Sequence, residues 1–115
     1  MEDSEFEKSK SFIAPGIIEY TANSIVFKTI LGKLTGNVSV GAFDAGQALG
    51  GRVSPFDNLI QVIEGEADVI INGASNLLKV GESIVIPAHS RNAIRAKIRM
   101  KIVSTLIKNG YEELS

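Results

Sequence analysis

The stretches GQALGGRVSPFDNLIQVIEG (residues 46–65) and GESIVIPAHSRN (residues 81–92) decide the fold of this chain. Each starts at a glycine and continues into alternating apolar residues, which is the pattern of a half-buried β-strand. Between them, Asn72-Gly73 suits a type I′ hairpin turn, because both of its central residues need a positive φ. These stretches therefore predict strands that are joined by tight turns.

The chain continues the same strand-and-turn pattern from Ser24 onward. Short β-rich runs alternate with turn residues, and no long window carries a 3.6-residue apolar repeat. The longest alternation covers residues 91–102, where the even positions form an apolar inward set and Asn92 is its clearly polar member. The predicted fold class is all-β, an antiparallel sandwich or barrel, with helix limited to a short piece near Tyr111.

Length and composition indicate one ordinary globular domain. The 115 residues are 44% hydrophobic and 22% charged with a net charge of −1, which gives no global reason to expect nucleic acid. Residues 1–10 are polar and predict a mobile arm, and residues 11–115 form the domain. The absence of cysteine excludes disulfides and thiolate metal sites. The N-terminus carries no apolar run, so we expect a cytoplasmic protein without a membrane partner.

The glycine and proline spacings resemble the two motifs of the cupin superfamily. The first pattern, G-x5-H-x-H-x3-E-x6-G, aligns with Gly46, Arg52, Ser54, Asn58 and Gly65, and the second, G-x5-P-x-G-x2-H, aligns with Gly81, Pro87, His89 and Asn92. The resemblance covers most of residues 25–107 and is similar to the short stand-alone members. It implies a cupin-type jelly-roll barrel of two antiparallel sheets. It also implies a homodimer, in which residues 12–27 extend a sheet or pack on the partner.

The positions that bind metal in metal-dependent members carry other residues here. The resemblance implies two histidines and a glutamate from the first motif and a histidine from the second. Those positions hold Arg52, Ser54, Asn58 and Asn92. Arginine has no lone pair to donate, and neutral hydroxyl and amide oxygens replace imidazole poorly on a transition metal. We therefore expect no metal at this site and no cofactor.

Arg52 is the substitution with the most consequence, because a buried guanidinium must find a partner. The interpretation that the sequence favours is an internal ion pair with Asp57 or Asp44. A second interpretation makes Arg52 an anchor for a carboxylate or phosphate of a small ligand, for which its planar fork is suited. In a third, Gly50-Gly51 lets Arg52 turn to solvent.

His89 is the only histidine of the chain and the only candidate for acid–base chemistry. A shifted metal site could combine His89 with Asp57 and Asp44. One imidazole with carboxylates is a weak ligand set for a transition metal, which usually binds three or more protein ligands. A loop histidine near the barrel rim is the favoured interpretation.

The basic positions of the 91–102 alternation form a second candidate surface. They are Arg91, Arg95, Lys97, Arg99 and Lys101. Aromatic residues for base stacking are missing beside them, and Glu64, Glu66 and Asp68 can compensate the charge from neighbouring strands. We expect a solvated, cross-strand-paired face and no nucleic-acid partner.

Three hypotheses for function remain, and the sequence does not decide whether the chain is an enzyme. The first is a metal-free module that binds a small molecule, an anion if Arg52 holds it. Its candidate ligand-binding residues are Arg52, Ser54, Asp57, Asn58, His89 and Asn92, in a pocket lined by apolar residues such as Phe43, Ile60, Ile94 and Met100. The second is an isomerase, lyase or oxygenase that uses a non-standard metal or His89. The third is a structural or interaction dimer whose barrel is filled with side chains.

Overall fold

The computed structural model describes residues 6–108, and nearly all of the regular structure in this range is β-strand. One turn of 3₁₀ helix at Ala14–Ile17 precedes the strands. The strands are β1 (Ile25–Lys33), β2 (Gly36–Phe43), β3 (Ala48–Val53), β4 (Asp57–Glu64), β5 (Glu66–Ile71), β6 (Ala74–Lys79), β7 (Ser83–Ile86), β8 (Arg91–Arg95) and β9 (Met100–Ile107). Within residues 6–108, no helix is long and apolar enough to cross a membrane. The short helix expected near Tyr111 falls outside the described residues.

The strands form two antiparallel sheets that face each other. The five-stranded sheet has the order β1-β2-β9-β4-β7, and the four-stranded sheet has the order β3-β8-β5-β6. The core lies between the sheets because alternate apolar residues of each strand point to the same side. Its largest fully buried side chains include Phe43, Ile60, Ile94, Met100 and Ile102. The prediction of an all-β, two-sheet jelly-roll barrel is confirmed.

The Asn72-Gly73 turn joins β5 to β6 as predicted. Both residues have a positive φ, 50° for Asn72 and 85° for Gly73. The following strand pairs back in register, with Ile71 opposite Ala74. A two-residue turn of this kind matches the right-handed twist of the strands that it connects.

The 91–102 alternation is not one continuous strand. β8 ends at Arg95 in the four-stranded sheet, and β9 begins at Met100 in the five-stranded sheet. The alternation survives this corner because both sheets turn their inner faces to one core, so Ile94 and Met100 are both buried. The expected single basic face is therefore wrong, and Lys101, placed on it, is only 8% exposed.

The N-terminal segment packs on the outer face of the five-stranded sheet of its own chain. Residues 11–24 contain no strand, and Ile18 packs with Val40 and Ala42 of β2. Residues 12–27 therefore extend a sheet only from Ile25, where β1 begins as an edge strand. The arm predicted over residues 1–10 is described only from Phe6, whose N–H donates to the Ile30 carbonyl at 3.0 Å.

Candidate functional site

A cavity of about 190 Å³ lies between the two sheets at one end of the barrel. At about 30 Å³ for each water molecule in the liquid, this volume corresponds to about six waters. Strands of both sheets contribute to its wall, and the wall mixes polar with apolar side chains. The lining residues are Phe27, Asn37, Ser39, Leu49, Arg52, Asn58, Ile94, Ile102, Ser104 and Leu106.

A bulge in β3 turns the Arg52 side chain into this cavity. Leu49 pairs with Ile94 and Arg52 pairs with Asn92, so three steps along β3 match two steps along β8. Without the extra residue, Arg52 would alternate to the face opposite that of Leu49. Gly51, with φ 68°, supplies the left-handed conformation at the bulge. The glycine pair thus directs Arg52 inward, and the interpretation that it frees Arg52 for solvent is not supported.

The Arg52 guanidinium has no acidic partner among residues 6–108. Asp44 accepts instead from Arg99 Nε at 2.8 Å and from the Asn23 N–H at 2.7 Å. Asp57 accepts from the Ala88 N–H at 2.8 Å. The internal ion pair that the sequence favours is therefore not formed, and both candidate carboxylates bind other groups.

Asn58 contributes a second polar group to the cavity wall. It is 6% exposed, and its Oδ1 accepts a hydrogen bond from the Ser104 hydroxyl at 3.0 Å. Its amide nitrogen has no partner in the described part of the chain and is available to a ligand as a donor. The neighbouring Ser104 hydroxyl lies on the same wall. This side of the cavity therefore presents the Asn58 amide nitrogen as a free hydrogen-bond donor, across the cavity from the sheet that carries Arg52.

Ser54, Asp57 and His89 lie at the barrel rim and do not line the cavity. The Ser54 carbonyl accepts from the His89 N–H at 2.6 Å, and the Ser54 hydroxyl accepts from the Phe56 N–H at 3.1 Å. With the bond from Ala88 to Asp57, these contacts tie the loop after β3 to the loop after β7. His89 has φ 68° and occupies the glycine position of the motif that the sequence resembles. The polar groups of Ser54 and Asp57 thus hold a loop together.

Asn92 completes the set of substituted positions. It faces Arg52 across the β3–β8 pair and is 6% exposed, on the inner face with Ile94. These positions suit a metal poorly, since Arg52 has no lone pair and Asn58 Oδ1 already accepts a bond. Within residues 6–108, no three His, Cys, Asp or Glu side chains come together in a way that could hold a metal ion.

Several lining residues were not anticipated from the sequence, including Phe27, Ser39 and Ser104. The available signal was the alternation in β2, where Asn37 and Ser39 place polar groups on the face that later carries Phe43. Among the apolar residues expected around a pocket, Ile94 lines the cavity. Phe43, Ile60 and Met100 are fully buried in the core and are not part of the wall.

Two charged groups on the outer surfaces, Arg95 and Arg99, are paired with carboxylates of the same chain. Arg95 Nη2 lies 2.9 Å from Asp68 Oδ2, directly across the β5–β8 pair, as the expected cross-strand compensation requires. The Ser75 hydroxyl also donates to Asp68, and this bond and then Arg95 hold the pKa of Asp68 below its usual value. The hydrogen bond from Arg99 likewise lowers the pKa of Asp44.

Pro15, Tyr20, Glu64 and Lys101 form an outer clasp that ties the N-terminal segment to the five-stranded sheet. Lys101 Nζ donates to the Pro15 carbonyl at 2.7 Å and lies 3.8 Å from Glu64 Oε2. The same ammonium lies 4.8 Å from the centre of the Tyr20 ring. The Tyr20 hydroxyl donates to Glu64, and burial and then this bond raise the pKa of Tyr20 above its usual value.

Comparison with known proteins identifies the architecture. No protein-family model and no curated protein sequence matches the chain. A conserved protein of unknown function from Streptococcus pyogenes superposes with a TM-score of 0.85 at 21% identity, over 90% of this chain and 91% of that one. A cupin superfamily protein from Desulfitobacterium hafniense gives 0.82 at 20% identity, over 93% and 97%. A cupin 2 conserved barrel domain protein from Leptotrichia buccalis gives 0.81 at 28% identity, over 84% of this chain and 47% of that one.

Proposed function

The chain is a small cupin-fold domain, and from that premise we propose that it binds a small anionic molecule between its sheets without a transition metal. The observation that carries the proposal is the Arg52 guanidinium, which lines the cavity and has no acidic partner among residues 6–108. Arg52 is partly buried beside apolar side chains such as Phe27 and Ile94, and an unpaired charge in such surroundings is destabilising. An anion in the cavity would supply the missing partner.

The surrounding groups support an anion over a neutral ligand. Arginine presents several N–H donors in a planar fork that can bind both oxygens of a carboxylate or phosphate. The Asn58 amide nitrogen is a further donor on the opposite wall, and none of the lining residues carries a carboxylate that would repel a negative charge. The bulge at Gly51 supports the same reading, because it is the local feature that turns Arg52 inward.

Binding without metal follows from the chemistry of the donors at the substituted positions. A cation held beside the Arg52 guanidinium would meet like-charge repulsion, and neutral amide oxygens are weak ligands for transition metals. We expect elemental analysis of protein purified without chelator or affinity tag to show transition metals far below one per chain. A metal present near one per chain would contradict this part of the proposal.

Binding is proposed in preference to catalysis because the cavity wall offers no acid–base group. His89, the only histidine, lies at the exposed rim and does not line the cavity. The cavity of about 190 Å³ also argues against a barrel that is filled with side chains throughout.

A thermal-shift titration with small anions tests the proposal. The ligands are acetate, propionate and phosphate, compared with the neutral acetamide and propionamide at fixed ionic strength, so that surface screening stays constant. A ligand that binds only the folded chain raises Tm in proportion to ln(1 + [L]/Kd). We expect at least one anion to raise the Tm of the wild type, and no rise in Arg52→Gln.

The matched control is Arg91→Gln, which removes the same charge from an exposed side chain of β8 that does not line the cavity. It should respond to anions as the wild type does. Equal responses in Arg52→Gln and the wild type would show that the anion binds elsewhere. The absence of any response to all of the anions would overturn the proposal.

A further inference from the structure

Asn92 carries a buried hydrogen-bond acceptor without a donor. Its Oδ1 atom has no partner in the described part of the chain, although the residue is only 6% exposed. The amide orientation is fixed by its neighbours, because Nδ2 lies 3.4 Å from both the Arg52 and the Ser90 carbonyl oxygens, which can only accept. Buried polar atoms in folded proteins rarely lack a partner, so this oxygen needs an explanation.

The orphan oxygen belongs to the immediate neighbour of the unpaired cation. Asn92 and Arg52 are directly opposite each other in the β3–β8 ladder, so their side chains lie on one face of the sheet. The Cβ atoms of such a pair are about 4.5–5.5 Å apart. The same face continues with Leu49 and Ile94, which both line the cavity. The unpaired donor thus lines the cavity, and the unpaired acceptor belongs to its cross-strand neighbour.

We propose that the ligand is a small hydroxy acid, whose carboxylate binds Arg52 and whose hydroxyl donates to Asn92 Oδ1. This inference rests on the proposed function, and it adds that the ligand must carry a hydrogen-bond donor beside its anionic group. In an α-hydroxy acid the two groups sit on adjacent carbons, which matches two side chains that are neighbours across one strand pair. A simple carboxylate, which has no hydrogen-bond donor, would leave the buried oxygen unpaired.

The size of the cavity limits the ligand to a compact acid. A volume of about 190 Å³ accommodates about six water-sized groups, which is the scale of lactate or glycerate. Asn92 itself does not line the cavity and its Oδ1 is buried, so the proposed contact requires a local rearrangement at the β3–β8 pair that brings Oδ1 into contact with the ligand hydroxyl.

Isothermal titration calorimetry with matched acid pairs tests the inference. The pairs are lactate with propionate and glycolate with acetate, which differ by one hydroxyl and carry the same charge. Because an unmet buried acceptor penalises the acid that lacks the hydroxyl, we expect the hydroxy acids to bind at least about tenfold more tightly. In Asn92→Ala the preference should fall below about twofold, while propionate keeps its wild-type affinity. In Arg52→Gln both members of each pair should lose affinity.

The outcomes separate this inference from the proposed function. Equal affinity for both members of each pair in the wild type, with binding still dependent on Arg52, would overturn the hydroxyl assignment and leave anion binding intact. A hydroxyl preference that persists in Asn92→Ala would overturn the role of Asn92. The absence of binding by all four acids would overturn the hydroxy-acid assignment, and anion binding would then rest on phosphate alone. The wild-type comparison needs no variant, so it stands even if Asn92→Ala does not fold.

Discussion

The outer clasp and the inner cavity each hold one cation, Lys101 and Arg52, but only the cation of the clasp has partners within the described chain. Lys101 in the clasp is 8% exposed and is satisfied by the Pro15 carbonyl, the Glu64 carboxylate and the Tyr20 ring. Arg52 at the cavity has none of these partners among residues 6–108. The chain therefore supplies partners for the cation that ties the N-terminal segment to the sheet, which is Lys101.

The difference separates a structural charge from one that is available to a ligand. Structural charges contribute to stability through contacts within the chain, and removing one exposes its partners as unsatisfied groups. A charge that is kept for a ligand contributes little to the free chain, and its removal can even stabilise the fold. Variants in the two regions should therefore affect stability and binding in opposite proportions.

The largest effect on stability is expected for Lys101→Met. This variant keeps the apolar stem and removes the ammonium, which leaves the Pro15 carbonyl without its donor and Glu64 without its ion pair. We expect a loss of about 2 kcal/mol in the free energy of unfolding, measured by urea denaturation. The matched control Lys97→Met, at an exposed position, should change stability by less than about 0.5 kcal/mol. Equal losses of stability in the two variants would show that the clasp contacts of Lys101 do not stabilise the fold.

The next effect concerns the paired carboxylate Asp68 and depends on pH. Its folded pKa lies below the usual 3.8, because the Ser75 hydroxyl and Arg95 favour the charged form. The stabilisation is therefore fully present above about pH 4 to 5, and it is lost as the pH falls from 3.8 through the lower folded value. Asp68→Asn should cost about 1 to 2 kcal/mol at pH 7 and less as the pH falls.

Urea denaturation of Asp68→Asn and the wild type from pH 7 to pH 3 measures this difference. Ser75→Ala provides a graded control, since it removes the largest cause of the low pKa and keeps the carboxylate. It should lose part of the stability at pH 7. A gap between Asp68→Asn and the wild type that stays constant with pH would contradict the assignment.

A smaller effect is expected at Gly51, whose bulge turns Arg52 inward. A Cβ added there meets no atom within 4 Å, so only the left-handed φ of 68° opposes a side chain. Gly51→Ala should cost about 1 kcal/mol, and Gly51→Asn less, because asparagine tolerates this conformation better. Thermal denaturation measures both. An equal cost for the two substitutions would indicate that the bulge has another basis.

The smallest effect on stability is expected for Arg52→Leu. Because the guanidinium has no partner in the described chain, its loss leaves no group unsatisfied, and the leucine adds apolar contact with Leu49 and Ile94. We expect a change in unfolding free energy between zero and about 1 kcal/mol in favour of the variant. A loss of 2 kcal/mol or more would show that Arg52 is structural, as Lys101 is.

The fold could be predicted because its signals are local. A few neighbouring residues are enough to predict a strand from alternating apolar residues, or a hairpin turn from Asn72-Gly73. The break between β8 and β9 at residues 96–99 could not be predicted, because the even-numbered residues of both strands face the same core.

The chemistry of the site could be predicted only in part. The motif spacing selected Arg52 and Asn58, which line the cavity, and Asn92 beside them. It could not give their partners, because partners depend on contacts distant in sequence. Asp44, for example, is bound by Arg99, 55 positions away in the sequence.

The arginine Nε–H signals in a ¹⁵N–¹H NMR correlation spectrum test the contrast between satisfied and available charges most directly. The chain has four arginines, at positions 52, 91, 95 and 99. Arg99 Nε already donates to Asp44 and should not respond to a small acid such as lactate. We expect the Arg52 signal, assigned by its loss in Arg52→Lys, to shift and saturate during the titration while the Arg91 and Arg99 signals stay fixed. An unmoved Arg52 signal at acid concentrations that raise Tm, or equal shifts of all four signals, would contradict a ligand role for Arg52.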